Sequence, residues 1–213
     1  MNRKTMLAFG IFFLVMEAAK QFYLYFGVFG EYNVWYFPFQ LCSMPIYLCI
    51  LYSLTGRGGV PLLTLLMDFG MLGGALSLIY HEGFTFAGHP LLTAHGYIWH
   101  SVMVILSILI FSSSIKQSRS AAPEVLSFKS YCRASALFLA LAACAFVIDI
   151  ALHPFGDCDM FYISPFHNSS QPVFGDVDAA IGKPAGIIIY LAAVIVGAGI
   201  VHTVYYSISR RNR

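Results

Sequence analysis

The sequence predicts an all-α protein, a polytopic membrane bundle with six transmembrane helices. Three observations predict it. Hydrophobic residues make up 59% of the chain and charged residues 10%, whereas soluble domains average about 45–50% and about 25%. Six runs reach the roughly 20 residues needed to cross a hydrocarbon core. Lysine and arginine fall into alternate connections between those runs, the mark of a fixed orientation in a bilayer.

The first run, Met6–Phe29, follows Arg3 and Lys4. It outruns a signal-peptide core and has no small-residue cleavage site, so no cleavable signal is expected. The second, Trp35–Leu54, carries Pro38, Gln40, Cys42 and Pro45 among its apolar residues. Each proline removes a backbone donor and leaves carbonyls that neighbouring groups must satisfy. This run is expected to kink and to line a polar pocket. The third, Pro61–Tyr80, contains Gly70, Gly73 and Gly74, and the fourth is Leu91–Ile115. In the fifth, Ala134–Leu152, the small residues Ala136, Ala140 and Cys144 recur at four-residue spacing, which lets helix backbones approach closely in lipid. The sixth is Pro184–Ile208. Only Lys116–Arg133 and His153–Lys183 are sizeable connections, so residues 1–213 are expected to form a single integral membrane domain.

Arg3, Lys4, Arg57, Lys116, Arg119, Lys129, Arg133, Arg210, Arg211 and Arg213 all fall on one side of six spans. The other side holds Glu31, Glu82, Asp157, Asp159, Asp176 and Asp178, with Lys183 as its only base. By the positive-inside rule this predicts a cell-membrane protein with both termini cytoplasmic. The net charge of +2 adds little, because placement outweighs the sum, and no nucleic-acid partner is expected. Five cysteines without a CxxC or zinc-like spacing give no disulfide framework, no structural metal and no expected cofactor.

Ionisable groups within spans are costly and mark candidate sites. Here they are Glu17, Lys20, Asp68, His95, His100 and Asp149. At about 1.5 Å per residue, Cys42 and His100 both lie roughly 10–14 Å below the outer surface. Lys20 approaches that depth from the other direction, and Asp68 lies deeper. A cysteine beside a histidine can form a thiolate–imidazolium pair, the activated nucleophile of acyl transfer. Glu17 and Lys20 share a helix face at i,i+3, where they can neutralise each other or orient a lipid phosphate. Plainer readings stand beside these. A lone cysteine in an apolar helix ordinarily acts as a small hydrophobe, Cys49 competes with Cys42 two turns on, and Asp68 can simply bond a neighbouring helix. His95 and His100 point about 140° apart, so at most one faces Cys42 squarely.

The order Glu17-x-x-Lys20, then FPFQLCSMP over Phe37–Pro45, a glycine-bearing third span and HGYIWHS over His95–Ser101 resembles the YwaF family of bacterial integral membrane proteins. The aromatic stretch DMFYISPFHNSSQPVF, Asp159–Phe174, also looks like that family's loop before its last span. The family is similar to a eukaryotic transmembrane acyltransferase that remodels ether phospholipids. More distantly it resembles the androgen-induced membrane hydrolases, which use a threonine and a histidine. The resemblance implies a lipid acyltransferase or lipid ester hydrolase acting on a membrane phospholipid or lipid ester. Cys42 would be its reactive cysteine and His100, then His95, its histidine. Two departures stand out: Gln40 occupies a position where the family often has histidine, and the chain begins one span later than longer members. On this reading Cys42 attacks an acyl ester and His100 serves as general base and then acid. Gln40 or Lys20 stabilises the oxyanion or binds phosphate, with Glu17 and Asp68 also lining the substrate site. The alternatives are a non-enzymatic small-molecule binding subunit of a membrane transporter and, more remotely, an intramembrane redox or haem protein.

Overall fold

The computed structural model describes residues 1–55, 59–117 and 123–211. Arg57, Arg119 and Arg213, which enter the orientation argument, lie outside the described residues. The helices are α1 (Arg3–Tyr23), α2 (Met44–Thr55), α3 (Val60–Ile79), α4 (Pro90–Gln117), α5 (Phe128–Leu152), α6 (Phe174–Ile181) and α7 (Lys183–Arg211), with no strand among the described residues. The protein is an all-α polytopic membrane bundle. Among the described residues five helical stretches are long and apolar enough to cross a membrane: Arg3–Phe29, Val60–Ile79, Pro90–Lys116, Phe128–Phe155 and Lys183–Arg211.

The second apolar run departs from the expectation of a continuous span. Only Leu41–Thr55 forms a shorter apolar helix, made of a 3-10 turn at Leu41–Ser43 followed by the 12 residues of α2. Proline chemistry explains the break. Pro38 disfavours helical geometry at the residue before it, and Phe37 accordingly has ψ of 131°. Gln40 is still extended (φ −78°, ψ 161°). Pro45 lies in the first turn of α2, where its missing N–H costs nothing. Twelve residues rise about 18 Å, short of a core about 30 Å thick. The N-terminal part of this run, ahead of α2, is therefore irregular backbone.

The core centres on α3. Half of its apolar window is buried, against 22% for α5 and 17% for α7, so those two turn broad faces outward. Leu62 through Gly70 are buried without a gap. Of the three glycines in this helix, Gly74 makes the close approach: a Cβ there would meet Val104 Cγ2 at 3.0 Å and the His100 carbonyl at 3.1 Å, so α3 and α4 touch through it. The small-residue stripe expected in the fifth span needs correction. Ala136, Ala140 and Cys144 are exposed, whereas Ala134, Phe138, Ala142 and Ala145 face the core. The inward face of α5 thus begins two residues earlier in the register.

Candidate functional site

The end of the bundle away from the two chain termini gathers most of the buried polar side chains predicted from sequence. On α1, Lys20 Nζ lies 2.8 Å from Glu17 Oε1, the i,i+3 pair that the spacing implied. Gln21 joins them. Its Nε2 donates to Glu17 Oε1 at 2.7 Å and to the Tyr36 carbonyl at 2.6 Å, tying α1 to the 3-10 turn at the start of the broken run. Glu17 is itself buried, so the neighbouring ammonium and amide replace the water it loses.

Cys42 sits in the 3-10 turn ahead of α2, half-buried and unoxidised. Its carbonyl accepts a hydrogen bond from Trp99 Nε1 at 2.9 Å, which fixes the turn against α4. The charges of Lys20 and Glu17 reach its thiol. Cys49, the sequence competitor, is wholly buried within the apolar core.

The two histidines diverge, as their five-residue spacing requires. His95 Nε2 lies 3.2 Å from the Met16 carbonyl, and its ring stacks on Trp99 with centroids 5.3 Å apart. His100 Nδ1 lies 2.8 Å from the Gly96 carbonyl, and its ring stacks on Phe84 at 4.9 Å. A ring nitrogen facing a carbonyl must carry its hydrogen. The neutral rings therefore keep lone pairs at His95 Nδ1 and His100 Nε2, each able to accept a proton. Neither ring is hydrogen-bonded to Cys42 among the described residues. Trp99 links His95 to the Cys42 turn, stacking on the one and donating to the other's carbonyl, and the Lys20 charge reaches Cys42, His95 and His100 alike. The His100 ring itself packs on Phe84 of the α3–α4 connection.

Gln40 is engaged elsewhere. Its Nε2 donates to the Asp159 carbonyl at 2.6 Å, and its Oε1 accepts from Phe161 N–H at 2.9 Å. One side-chain amide thus clamps the α5–α6 connection onto the turn that carries Cys42. That connection is a cap built under strain. Phe161, Tyr162 and Val173 all have left-handed φ, at 54°, 60° and 71°, a conformation that non-glycine residues hold only when surroundings impose it. Asp149 Oδ1 accepts from Met160 N–H at 2.7 Å and Asp159 Oδ1 from Ser164 N–H at 2.9 Å. The Phe161 ring inserts between Phe39 and Phe138 at 6.1 and 5.9 Å. Removing the clamp in a Gln40→Ala variant strands a buried N–H and a carbonyl. The expected cost is about 2 kcal/mol, read as faster amide exchange at Phe161 with the membrane helices unchanged.

Burial holds the Asp159 carboxyl above the usual carboxylate range, against the lowering effect of Ser164 N–H and of the nearby His167 and Lys183. A carboxyl raised by folding contributes stability that is complete below its unfolded value of about 3.9. That contribution is lost as pH rises through the folded value. Thermal unfolding of the cap is therefore expected at higher temperature near about pH 4 than near about pH 7, with Asp159→Asn reducing the difference.

Asp68 is not part of this neighbourhood. It pairs with His202 on α7, Nδ1 to Oδ2 2.7 Å, while His202 Nε2 lies 3.2 Å from the Leu126 carbonyl. Sequence reasoning missed His202, although an ionisable residue inside the sixth apolar run carries the same signal as the others. Among the described residues no group of three or more His, Cys, Asp or Glu side chains is placed to hold a metal ion.

Comparison with known proteins adds the family. A model described as the TMEM164 family matches residues 1–199. The chain belongs to the TMEM164 family. That description, and not the YwaF name, is the one the match carries. No curated protein and no solved structure matches the chain. The matched residues of this TMEM164-family protein include α1, the broken second run, the two histidines of α4 and the cap.

Proposed function

We propose that this TMEM164-family protein transfers or hydrolyses a lipid acyl chain, with Cys42 as nucleophile. One observation carries the reading: a half-buried free thiol lies in the 3-10 turn where a would-be membrane helix is broken, held against α4 by Trp99. Irregular backbone at membrane depth is tolerated where it is buried in protein or lines a cavity, and an acyl ester entering from lipid would meet that break. The kinship that Phe37–Pro45 and His95–Ser101 suggest, with the YwaF family and with an ether-phospholipid acyltransferase, supports the same chemistry.

In the proposed reaction Cys42 Sγ attacks the carbonyl carbon of an acyl ester while a histidine takes the thiol proton. The C–O bond breaks, the lysolipid alcohol leaves with that proton, and an acyl thioester remains. An acceptor hydroxyl, or water for hydrolysis, then gives its proton to the histidine and displaces the thiolate. Each ring retains a lone pair, at His100 Nε2 and His95 Nδ1, and the order of choice, His100 then His95, is the one the family resemblance implies. The Lys20 ammonium would hold a lipid phosphate or the oxyanion, and Glu17 sets its position. Gln40 would act by holding the cap over the site. The basic connections support a cell-membrane location with both termini in the cytoplasm.

The test is reconstitution in phosphatidylcholine vesicles carrying an isotope-labelled acyl chain and a lysophospholipid acceptor. Label is expected to move to the acceptor or appear as free fatty acid. Vesicles in which the folded protein does neither would reject the reading, and an ATPase complex co-purifying with it would favour the transporter subunit.

A further inference from the structure

At the end of the bundle opposite Cys42, α5 and α7 leave a groove between them. Phe128 and Tyr131 of α5 form one wall and Val196, Gly199 and Thr203 of α7 the other, around about 420 Å³ with His202 at its edge. A second hollow of about 230 Å³ shares Thr203 and Val204 with the first and runs on to Arg211. Together they follow α7 from Val196 to Arg211, about 22 Å at 1.5 Å per residue, walled by α5 in the first hollow and bounded by α7 alone in the second. The apolar part, Val196–Val204, covers about 12 Å of that, inside the roughly 15 Å of hydrocarbon that one leaflet supplies.

Two features keep the groove open and give it polarity. Tyr131 spans the helices by donating to the Ile195 carbonyl at 2.7 Å. A Cβ at position 199 would meet Tyr131 Oη at 2.9 Å, so Gly199 leaves the space beneath it free. At the far end Arg211 lines the second hollow, and Arg210 precedes it on the last turn of α7; Lys129 and Arg133 flank Tyr131 on α5, beside the first hollow. Glu124, in the connection before α5, is the nearest carboxylate along the chain. The wall is mostly apolar along Val196–Val204 and ends on the basic Arg211.

We propose that this groove binds an anionic phospholipid, one acyl chain lying along Val196–Val204 and the phosphate on Arg211. The lipid is a resident of the leaflet that the basic end faces, distinct from any substrate of the Cys42 site. Juxtamembrane basic residues attract anionic lipid, at about fivefold in affinity for each side chain engaged.

The experiment uses the full chain in nanodiscs of equal phosphatidylglycerol and phosphatidylcholine, released and weighed by native mass spectrometry. Retained phosphatidylglycerol is expected to exceed phosphatidylcholine by at least about fivefold. Arg211→Gln, a surface change that leaves packing alone, is expected to remove about that preference. Thr203→Trp, which places an indole in both hollows, is expected to lower the bound phospholipid altogether. Equal retention of the two lipids by the wild type would overturn the proposal. So would an unchanged preference in Arg211→Gln, or a lipid-free dimer in which a second copy fills the groove.

Discussion

Replacing Cys42 by alanine is expected to lower acyl turnover by roughly 10³-fold or more, the scale on which loss of a covalent nucleophile is felt. The fold should survive it. Trp99 is held by the Cys42 carbonyl and not by its side chain, and the residue is only half-buried. The stability cost is therefore expected to stay near about 1 kcal/mol. Serine at this position should be almost as inactive, since a hydroxyl is a far weaker nucleophile than a thiolate. Cys49→Ala is the control. It opens a small cavity in the apolar core, at a cost of about 1–2 kcal/mol, and should leave turnover per folded molecule unchanged. Assay of all three variants in one vesicle preparation separates a nucleophile from a structural thiol.

The second large effect concerns the fold. Both nitrogens of His202 face acceptors, Asp68 Oδ2 and the Leu126 carbonyl. The pair therefore holds one proton more than a neutral imidazole beside a carboxylate would, whichever residue carries it. Through it α7 is fastened both to α3 and to the turn before α5. His202→Ala strands Asp68, which is fully buried. Orphaning one member of a buried pair costs about 3–5 kcal/mol in soluble proteins, while an interhelical hydrogen bond in lipid averages about 0.6 kcal/mol. A loss of about 3 kcal/mol is expected, since a fully buried carboxyl is left without its partner. The double variant Asp68→Leu with His202→Leu should recover most of it, because no polar group is then stranded. Denaturant unfolding in micelles measures both, and a double variant weaker than His202→Ala would contradict this account.

What the sequence revealed and what it concealed divide along physical lines. Local periodicity was legible. Glu17 and Lys20 pair at i,i+3 as spacing dictates, and His95 and His100 part company because five residues turn a helix by about 140°. The all-α membrane class follows from apolar content, and five of the expected runs are helices of membrane length. The break in the second run was signalled by Pro38, yet hydropathy counts side chains and is blind to backbone geometry. Long-range partners were invisible. Gln40 finds the cap 119 residues away and Asp68 finds His202 134 residues away. No local pattern announces left-handed φ at Phe161 and Tyr162, because distant partners, Gln40, Asp149 and packed aromatic rings, hold that part of the cap. That cap is also why Gln40, which sequence alone offers as an oxyanion donor, has its amide committed to backbone.

The central claim is that an acyl chain passes through Cys42. Intact-protein and peptide mass spectrometry, after the purified protein meets vesicles containing acylated phospholipid, tests it most directly. The account predicts a hydroxylamine-labile adduct of one acyl chain on Cys42, absent from the Cys42→Ala and His100→Ala variants. Acyl turnover that proceeds at full rate in Cys42→Ala, with no adduct on the wild-type thiol, would contradict it.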